Sequence, residues 1–356
     1  AYRISDYPNV KNVSVKDIDH TDLRQQLLDG EQPIGCSQCW NNEKNGVKSK
    51  RLNDAYVYRD KIFDIDYNDT KSNNLISLDI KINKTCNLSC RMCGPSFSTK
   101  WANEVSKHKE SYPQFSSRSL VKNEWTDVNG SKVWKDLEEI TGDLSYLTFS
   151  GGEPLLDKTH SHMLQYFIDK QRSRYISIHY NTNATIFAPN LISLWSRFKE
   201  VELSFSIDNT GKKFEYERYG VSWKTIVDTI EKYKKVTDTV LNLNVWSTIT
   251  TLNILDTYTL FQFCREYGLP ISFNLVNDPK QLNICLFNKK QKKYITDKLL
   301  NIQDNEFQKI IEPIITAMNS SNMSTNTTNM IDFLSITDKI RKQDYKQTYE
   351  ELTYIL

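Results

Sequence analysis

The stretch "LISLDIKINKTCNLSCRMCG", residues 75 to 94, joins a strand pattern to a group of cysteines. Its first part is rich in β-branched and apolar residues that alternate with polar ones, which predicts a β-strand over 75–82. The loop that follows carries Cys86, Cys90 and Cys93 in the spacing CxxxCxxC. The order of these two features predicts a thiol-rich site at the end of the first strand.

Further strand patterns recur along the chain with helical patterns between most of them. They lie at 144–150, 175–182, 201–208, 241–250 and 271–276. Strands that alternate with helices predict a parallel sheet with the helices outside it. The predicted fold class is therefore α/β, an open, partial (β/α)6 version of the (β/α)8 barrel, whose chemistry sits at the carboxyl ends of the strands.

Three regions are predicted along the chain. Residues 1–74 form a polar, irregular N-terminal extension that contains a CxxC pair. Residues 75–277 form the partial barrel, and residues 278–356 form a C-terminal helical region. Within that last region, the polar run at 319–329 is predicted to be a linker or loop.

Composition narrows the class of protein. The chain has 356 residues, 38% of them hydrophobic, and a formal net charge of +2. Such a chain can bury a core, and its near-neutral charge argues against a dedicated nucleic-acid binder. No apolar run approaches the roughly 20 residues that cross a bilayer. The sequence begins without Met or a signal-peptide pattern, so a fragment of a longer protein is one interpretation.

The seven cysteines indicate metal ligation more than a disulfide framework, because five of them fall in two short clusters. This pattern favours a reducing compartment, and the expected location is the cytoplasm. Thiolates are soft ligands for zinc, copper or iron–sulfur clusters. Three of them leave one metal coordination position open, which is typical of a centre that binds a substrate or cofactor. The alternative is a structural zinc site completed by Cys36 or Cys39.

A second motif follows the second strand. "YLTFSGGEPLL", residues 146 to 156, places Gly151, Gly152 and Glu153 at that strand's end. Glycines let the backbone approach a ligand closely, and a carboxylate there can accept hydrogen bonds from an ammonium group. A plain strand-to-helix turn is the alternative for this motif taken alone.

Together, CxxxCxxC after the first strand, GGEP after the second and the six-unit partial barrel resemble the radical S-adenosylmethionine (SAM) superfamily. The resemblance covers about residues 75–277 as a fold. It implies that Cys86, Cys90 and Cys93 hold a [4Fe–4S] cluster whose fourth iron is chelated by SAM. It also implies that one electron cleaves SAM to methionine and a 5′-deoxyadenosyl radical, which abstracts hydrogen from a substrate.

The resemblance implies SAM contacts at Met92, Ser150, Gly151, Gly152, Glu153, Thr182, Asn183, Ser206, Asp208 and Arg218. Met92 stands where the family usually has an aromatic residue near the adenine, and ordinary packing is the alternative. The segment 150–153 matches the part that binds the SAM amino group. Thr182 and Asn183 match a third-strand end that faces SAM or substrate, with a simple turn as the alternative.

Ser206 and Asp208 belong to a segment that resembles the family's fourth-strand pattern, and they are candidates for the SAM ribose or methionine carboxylate. Arg218 is a candidate for that carboxylate or for a salt bridge that closes the site. The alternative for Glu217 and Arg218 is a solvated helix face. No catalytic residue is assigned.

A narrower resemblance is to the twitch-domain radical SAM proteins of bacteria and phages. It rests on "CSQCWNNEKNGVKSKRLN" (36–53), "FNLVNDP" (273–279) and "TDKIRKQ" (337–343). Related members with auxiliary clusters often modify peptides, which favours a peptide, protein or small-metabolite substrate. The implied partners are SAM, a reductant such as flavodoxin or ferredoxin, and that substrate, with no membrane and no nucleic acid.

The remaining cysteines leave alternatives open. Cys264 and Cys285 lie in apolar segments and are predicted to be core residues. Cys36 and Cys39 are predicted as an auxiliary iron–sulfur site shared with one or both, or as a redox-active dithiol. His160, His162 and His179 are predicted to be structural, since a scattered His without a partner says little.

Two functions compete with a radical SAM enzyme. One is a non-catalytic iron–sulfur electron-transfer or redox-sensing protein. The other is a zinc-stabilised nucleic-acid adaptor that uses two cysteine pairs. SAM binding would separate the first of these from an enzyme, and iron against zinc content would separate both from the adaptor.

Overall fold

A computed structural model of the chain describes residues 21–44, 49–59, 75–81, 83–112, 115, 142–157, 160–236, 241–320 and 326–356. The chain divides into two compact units. The first consists of Ala1–Leu78 with Glu124–Tyr146, and the second of Asp79–Asn123 with Leu147–Leu356.

The described part of the first unit contains three short helices. They are α1 (Thr21–Leu28), α2 (Ser37–Lys44) and α3 (Lys50–Val57). The expectation of an irregular segment is wrong for these ranges. The Ser49 side chain caps α3 by accepting a bond from the Leu52 amide at 3.1 Å, and Lys50 pairs with Asp54 one turn later at 2.7 Å. Neither α1 nor α3 buries a residue, so the apolar periodicity that reveals a helix in sequence is weak.

Six strands form one sheet in the order of the chain, β1-β2-β3-β4-β5-β6. They are β1 (Ser77–Lys81), β2 (Tyr146–Ser150), β3 (Ser177–Thr182), β4 (Glu200–Ser206), β5 (Leu241–Ile249) and β6 (Ile271–Leu275). The pairs β3–β4, β4–β5 and β5–β6 are parallel. The predicted α/β fold with a six-stranded parallel sheet, the partial barrel, is confirmed, and each strand lies inside or within one residue of its predicted range.

The two faces of the sheet differ in polarity because side chains alternate along each strand. On one face Val201 pairs with Leu241 and Phe205 with Val245, and Val201, Phe205 and Val245 are fully buried. The opposite face, called here the polar face, carries Asp79, Ser150, His179, Glu202, Ser204 and Asn244. A sheet with one apolar face covered and one polar face is what a partial barrel with a polar interior requires.

Helices separate the strands as the alternation predicted. They are α4 (Thr99–Lys107), α5 (His160–Asp169), α6 (Pro189–Trp195), α7 (Gly211–Glu217), α8 (Trp223–Lys234) and α9 (Thr257–Glu266). Ser98 caps α4 by accepting from the Trp101 amide, and Ser222 caps α8 by accepting from the Thr225 amide. Cys264 in α9 is fully buried, which confirms it as a core residue.

The C-terminal part is helical, as predicted. It comprises α10 (Lys289–Leu300), α11 (Asn305–Ser320), α12 (Thr328–Arg341), α13 (Tyr345–Thr348) and α14 (Glu350–Ile355). Asn288 and Gln291 form a capping box at the start of α10. Ile295, Phe307, Ile315 and Leu334 from these helices join a buried cluster that also includes Trp101 of α4. The same cluster contains Cys285, a predicted core residue that is 7% exposed.

Candidate active site at the carboxyl ends of the strands

The cysteine loop is held by the helix that follows it. The Ser98 hydroxyl donates to the Leu88 carbonyl at 2.6 Å, so the residue that caps α4 also fixes the loop. Thr99 pairs with Cys86, its hydroxyl donating to the carbonyl and accepting from the amide, both at 3.1 Å. The Trp101 indole donates to the Cys90 carbonyl at 2.7 Å. These bonds fix the loop backbone before any ligand binds.

A second segment pairs with the loop from the other side. The Ser89 amide donates to the Tyr219 carbonyl at 2.9 Å, and the Arg91 amide donates to the Glu217 carbonyl at 2.8 Å. Residues 217–219 therefore run beside the loop in a short strand-like pairing. Cys90 lies between these two bonds and is 8% exposed.

The three thiols lie in one electrostatic environment. Burial raises the pKa of Cys90 to about 12 and that of Cys93 to about 11, and it also raises the pKa of Cys86. Charge on Cys93 and Cys86 raises the pKa of Cys90 further, whereas Arg218 lowers it. Thiols with such raised pKa values form thiolates only beside a strong positive charge. A bound metal centre carries that charge and deprotonates the thiols that coordinate it.

The spacing of these groups bears on the kind of metal centre. Among the described residues, no three His, Cys, Asp or Glu side chains converge closely enough to hold a single metal ion. A tetrahedral zinc with bonds of about 2.3 Å would bring its thiolates within about 3.8 Å of one another. A cubane binds each thiolate through a different iron, so it accepts a wider triangle of thiols. Three thiols on one loop can supply three ligands of such a cluster, because thiolates are the ligands that iron–sulfur clusters use.

The GGE segment packs directly against the start of the cysteine loop. The Gly152 amide donates to the Asn83 carbonyl at 3.1 Å, and the Glu153 amide donates to the Thr85 carbonyl at 2.7 Å. A Cβ at Gly152 would overlap the Thr85 carbonyl, and one at Gly151 would lie 2.8 Å from the Asn83 carbonyl. Gly151 also has a φ of +114°, which favours glycine. The glycines thus allow two backbone segments to meet beside Cys86.

Glu153 ties the ends of two strands together. Its side chain is 1% exposed and accepts from the Thr182 hydroxyl at 2.7 Å, the Asn183 amide at 2.6 Å and the Leu155 amide at 3.1 Å. Burial raises its pKa to about 6, and these three bonds hold the pKa below what burial alone would give. An ionised carboxylate has about four lone-pair sites, so capacity remains for a further donor.

Asn183 connects the hydrogen bonds around Glu153 to Cys86, one of the three predicted cluster ligands. Its side-chain amide lies 3.8 Å from the Cys86 sulfur and donates to the Asn87 side chain at 2.9 Å. Asn87 in turn donates to Thr185 at 2.9 Å. The predicted pair Thr182 and Asn183 therefore meets both Glu153 and the cysteine loop.

Arg218 and Asp208 form a buried ion pair next to Cys90. The Arg218 Nε donates to Asp208 at 2.7 Å, and another guanidinium nitrogen lies 3.8 Å from the Cys90 sulfur. Burial alone would lower the pKa of Arg218, but Asp208 and Cys90 outweigh it and raise that pKa. The other Asp208 oxygen accepts from the Thr248 amide at 2.7 Å. The alternative of a solvated helix face is wrong, since Glu217 is 0% and Arg218 8% exposed.

The other candidates take no part in the hydrogen bonds described above. Ser206 is half-buried and pairs with Trp246 in the sheet register. Met92 is half-buried and packs against the core. In the first unit, Cys36 ends a short turn, Cys39 lies in α2, and both are half-buried. All seven cysteines are free of disulfides.

The polar face adds His179, which the sequence analysis predicted to be structural, and neighbours that it did not single out. The His179 Nε2 and the Ser204 hydroxyl are 2.8 Å apart, and Asn244 donates to Glu202 beside them. Burial lowers the pKa of His179, while Glu202 and Asp79 raise it. Asp79 accepts from Ser150 at 2.7 Å, which places that predicted SAM contact on this face.

Other residues of the site were not found from the sequence. They are Asn87, Arg91, Ser98 and Thr99 beside the cysteines, and Asn209 and Asn253, which donate to Glu217 at 3.0 and 2.9 Å. The sequence offered a signal only for Asn87 and Arg91, because both lie inside the CxxxCxxC motif.

The comparison with protein families agrees with this site. The family described as the Radical SAM superfamily matches residues 80–261, slightly more than half of the chain. The chain belongs to the radical SAM superfamily, a class of iron–sulfur enzymes. The cofactors of this class are a [4Fe–4S] cluster and SAM.

Solved structures with similarity include native anSMEcpe with bound AdoMet, at 16% identity and a TM-score of 0.44, covering 63% of this chain and 59% of that one. SuiB of Streptococcus suis bound to S-adenosylmethionine has 16% identity and a TM-score of 0.38, covering 70% and 49%. SuiB bound to the precursor peptide SuiA has 14% identity and a TM-score of 0.39, covering 79% and 59%. The matched region is thus under two thirds of each of these proteins.

A comparison with curated proteins gave no match. Within the described part of the chain, every helix is too short or too polar to cross a membrane.

Proposed function

We propose that this chain catalyses reductive cleavage of SAM and uses the product to remove hydrogen from a substrate. The observation that supports this proposal is that the loop places the buried Cys90 beside the Arg218 guanidinium and the half-buried Cys86 beside the Glu153–Asn183 network, with Cys93, also half-buried, on the same loop. A [4Fe–4S] cluster bound there would pass one electron to SAM, which would cleave to methionine and the 5′-deoxyadenosyl radical that removes hydrogen from the substrate. Cys86, Cys90 and Cys93 would be the ligands of the cluster.

The surrounding residues would bind and orient SAM. Glu153 retains acceptor capacity for the SAM ammonium group, and the half-buried Gly151 and Gly152 directly precede it. Thr182 and Asn183 would hold Glu153 in place. Asp208 binds the Nε and Nη2 atoms of Arg218 and would keep its Nη1 against Cys90, so that only the further N–H groups of Nη1 and Nη2 would be left for a carboxylate. Ser206 stays a proposed contact of the SAM ribose or methionine carboxylate, and Met92 stays a proposed contact of the adenine.

The substrate is proposed to be a peptide, a protein or a polar small metabolite. The polar face supports a substrate group that forms hydrogen bonds, because Glu202, His179 and Asp79 lie on it. The narrower resemblance to twitch-domain proteins favours a peptide. We further propose a reductant such as flavodoxin or ferredoxin, a cytoplasmic location that suits seven free cysteines, and region boundaries at 74 and 277.

The test is anaerobic reconstitution with iron and sulfide, followed by an assay for methionine and 5′-deoxyadenosine in the presence of dithionite. We expect both products from the wild-type protein. A cluster that assembles but never cleaves SAM would instead support an electron carrier or redox sensor. Bound zinc without iron would support the adaptor.

Glu153→Gln tests the SAM contact separately. Charge-assisted hydrogen bonds contribute roughly 1.5–3 kcal/mol, so we expect SAM affinity to fall about tenfold or more with the iron content unchanged. Wild-type affinity should also weaken as the pH falls through about 6, where Glu153 takes up a proton. Glu200→Gln, at an exposed position of β4, is the matched control. Equal affinity in both variants would remove Glu153 from the SAM site.

A further inference from the structure

The segment "TDKIRKQ", residues 337 to 343, lies at the end of α12 and reaches the cysteine loop. Its contact in the loop is Arg91, the residue that directly follows Cys90. Arg91 has 0% exposure, which is unusual for an arginine and requires a compensating partner. That partner is Asp338, whose carboxylate is 2.6 Å from the Arg91 guanidinium.

The guanidinium of Arg91 is enclosed on every side that the structure describes. It stacks on the Tyr216 ring at 3.4 Å from the centroid and donates to the Tyr216 carbonyl. Two of its nitrogens lie 3.2 Å from the side-chain oxygen of Gln343. The charge of Arg91 therefore depends on Asp338, because Tyr216 and Gln343 provide only neutral contacts.

Asp338 is as well fixed as its partner. The oxygen that binds Arg91 also accepts from the Tyr216 hydroxyl at 2.8 Å, and the other accepts from the Tyr345 amide at 2.7 Å. Its side chain is 9% exposed. The pair is thus locked between the loop, the end of α7 and the turn after α12.

Arg341 makes a second connection one turn along α12. It forms a two-pronged ion pair with Glu104 of α4 at 3.0–3.2 Å. Its guanidinium also lies 4.7 Å from the Trp101 ring centroid and 4.9 Å from that of Tyr219. Trp101 is the residue that donates to the Cys90 carbonyl, so both connections converge on one ligand position.

We propose that Asp338, on α12, is a positioning residue for the cluster site, which neutralises Arg91 beside Cys90 and so fixes both the loop and its local charge. The inference rests on the proposed ligation of a [4Fe–4S] cluster by Cys86, Cys90 and Cys93. Its consequence is electrostatic as well as structural. Reduction adds one negative charge to the cluster, so the nearby net charge sets how readily an electron enters.

The two single variants of the pair should shift the midpoint potential of the cluster in opposite directions, and the double variant should not shift it. Asp338→Asn leaves a buried cation without its counter-charge, which favours the reduced cluster and raises the midpoint potential. Arg91→Gln leaves a buried anion, which lowers it. The double variant removes both charges and should return the midpoint close to that of the wild-type protein. A purely steric role would not produce opposite signs.

The experiment is a redox titration of the reconstituted protein, in which the EPR signal of the reduced cluster gives the midpoint potential. The iron content of each sample is measured as well. Asp332→Asn, at an exposed position of the same helix, is the control and should leave the midpoint unchanged. Thermal unfolding of each protein before reconstitution gives a second readout. We expect both single variants to unfold at a lower temperature than the control, and the double variant to regain part of the loss.

The outcomes distinguish this inference from the proposed function. A wild-type protein that binds no [4Fe–4S] cluster would overturn both. A wild-type cluster whose midpoint and iron content are the same in Asp338→Asn, Arg91→Gln and Asp332→Asn would overturn the role of Asp338 alone. If Asp338→Asn loses the cluster and the double variant regains it, the charge balance is supported. If the double variant is no better than the single ones, the inference fails.

Discussion

The two groups of cysteines in this chain share a residue type and a short spacing, but their surroundings differ. Cys36 and Cys39 lie at a turn and a short helix, and the neighbouring Ile34 is 90% exposed. Cys90 is 8% exposed, with a guanidinium at its sulfur and an indole at its carbonyl. The comparison shows that cysteine spacing identifies possible metal ligands. Tertiary contacts are what fix the backbone of the loop and set the charge around its sulfur atoms.

Replacing Cys86, Cys90 and Cys93 together by Ala should have the largest effect. We expect the reconstituted triple variant to lose the cluster absorbance, the reduced-state EPR signal and SAM cleavage. The loop backbone is fixed by bonds from Ser98 and Trp101, so circular dichroism should still show a folded protein. Continued SAM cleavage by this variant would show that the loop is not the site.

Gly152→Ala tests whether the loop must be approached so closely. The added Cβ would overlap the Thr85 carbonyl just before Cys86, and this backbone atom cannot rotate away. We expect a loss of about 1–3 kcal/mol or more in the free energy of unfolding, with less iron bound after reconstitution. Gly142→Ala is the matched control, because a Cβ there meets no atom of the described residues within 4 Å. Equal denaturation midpoints in the two variants would contradict the packing argument.

The buried carboxyl of Glu217 should make stability depend on pH. Burial, with a contribution from Asp208, raises its pKa to about 7, against an ordinary value of 4.5. The folded state keeps this proton when the unfolded state has released it. The contribution of Glu217 to the free energy of unfolding therefore falls by roughly 3 kcal/mol as the pH rises from about 4.5 to about 7, and this contribution is constant above that range.

Glu217→Gln removes this titration, so thermal unfolding of the unreconstituted protein should depend less on pH between 4.5 and 7. The exposed Glu266→Gln variant should keep the wild-type slope. If Glu217→Gln also keeps that slope, Glu217 is ionised throughout in the folded protein.

Cys36→Ala with Cys39→Ala should have the smallest effect, and it sharpens the comparison most directly. We expect about four irons per chain in both the wild-type protein and this variant, the content of one cubane. About eight irons in the wild-type protein, falling to about four in the variant, would instead establish an auxiliary cluster at the first pair.

Much of the architecture could be predicted because it depends on local pattern. Alternation along β4, where Val201, Leu203 and Phe205 are all buried, gives both the strand and its covered face. The N-terminal helices were missed because caps and exposed ion pairs, not an apolar stripe, define them. The sequence left a solvated helix face open as an interpretation of Glu217. A charged residue in a helix pattern does not reveal whether other elements of the fold will bury it.

The sequence alone determined that three thiolates follow the first strand, that a GGE segment follows the second, and that six strands build a parallel sheet. These properties depend on residue type and spacing within short segments. Only the tertiary structure decided which charges neutralise each other. Arg91 meets an aspartate 247 positions later in the chain, and Arg341 meets Glu104 across 237 positions. Such pairs follow from helix packing, because burying a charge requires a partner wherever the fold brings one within reach.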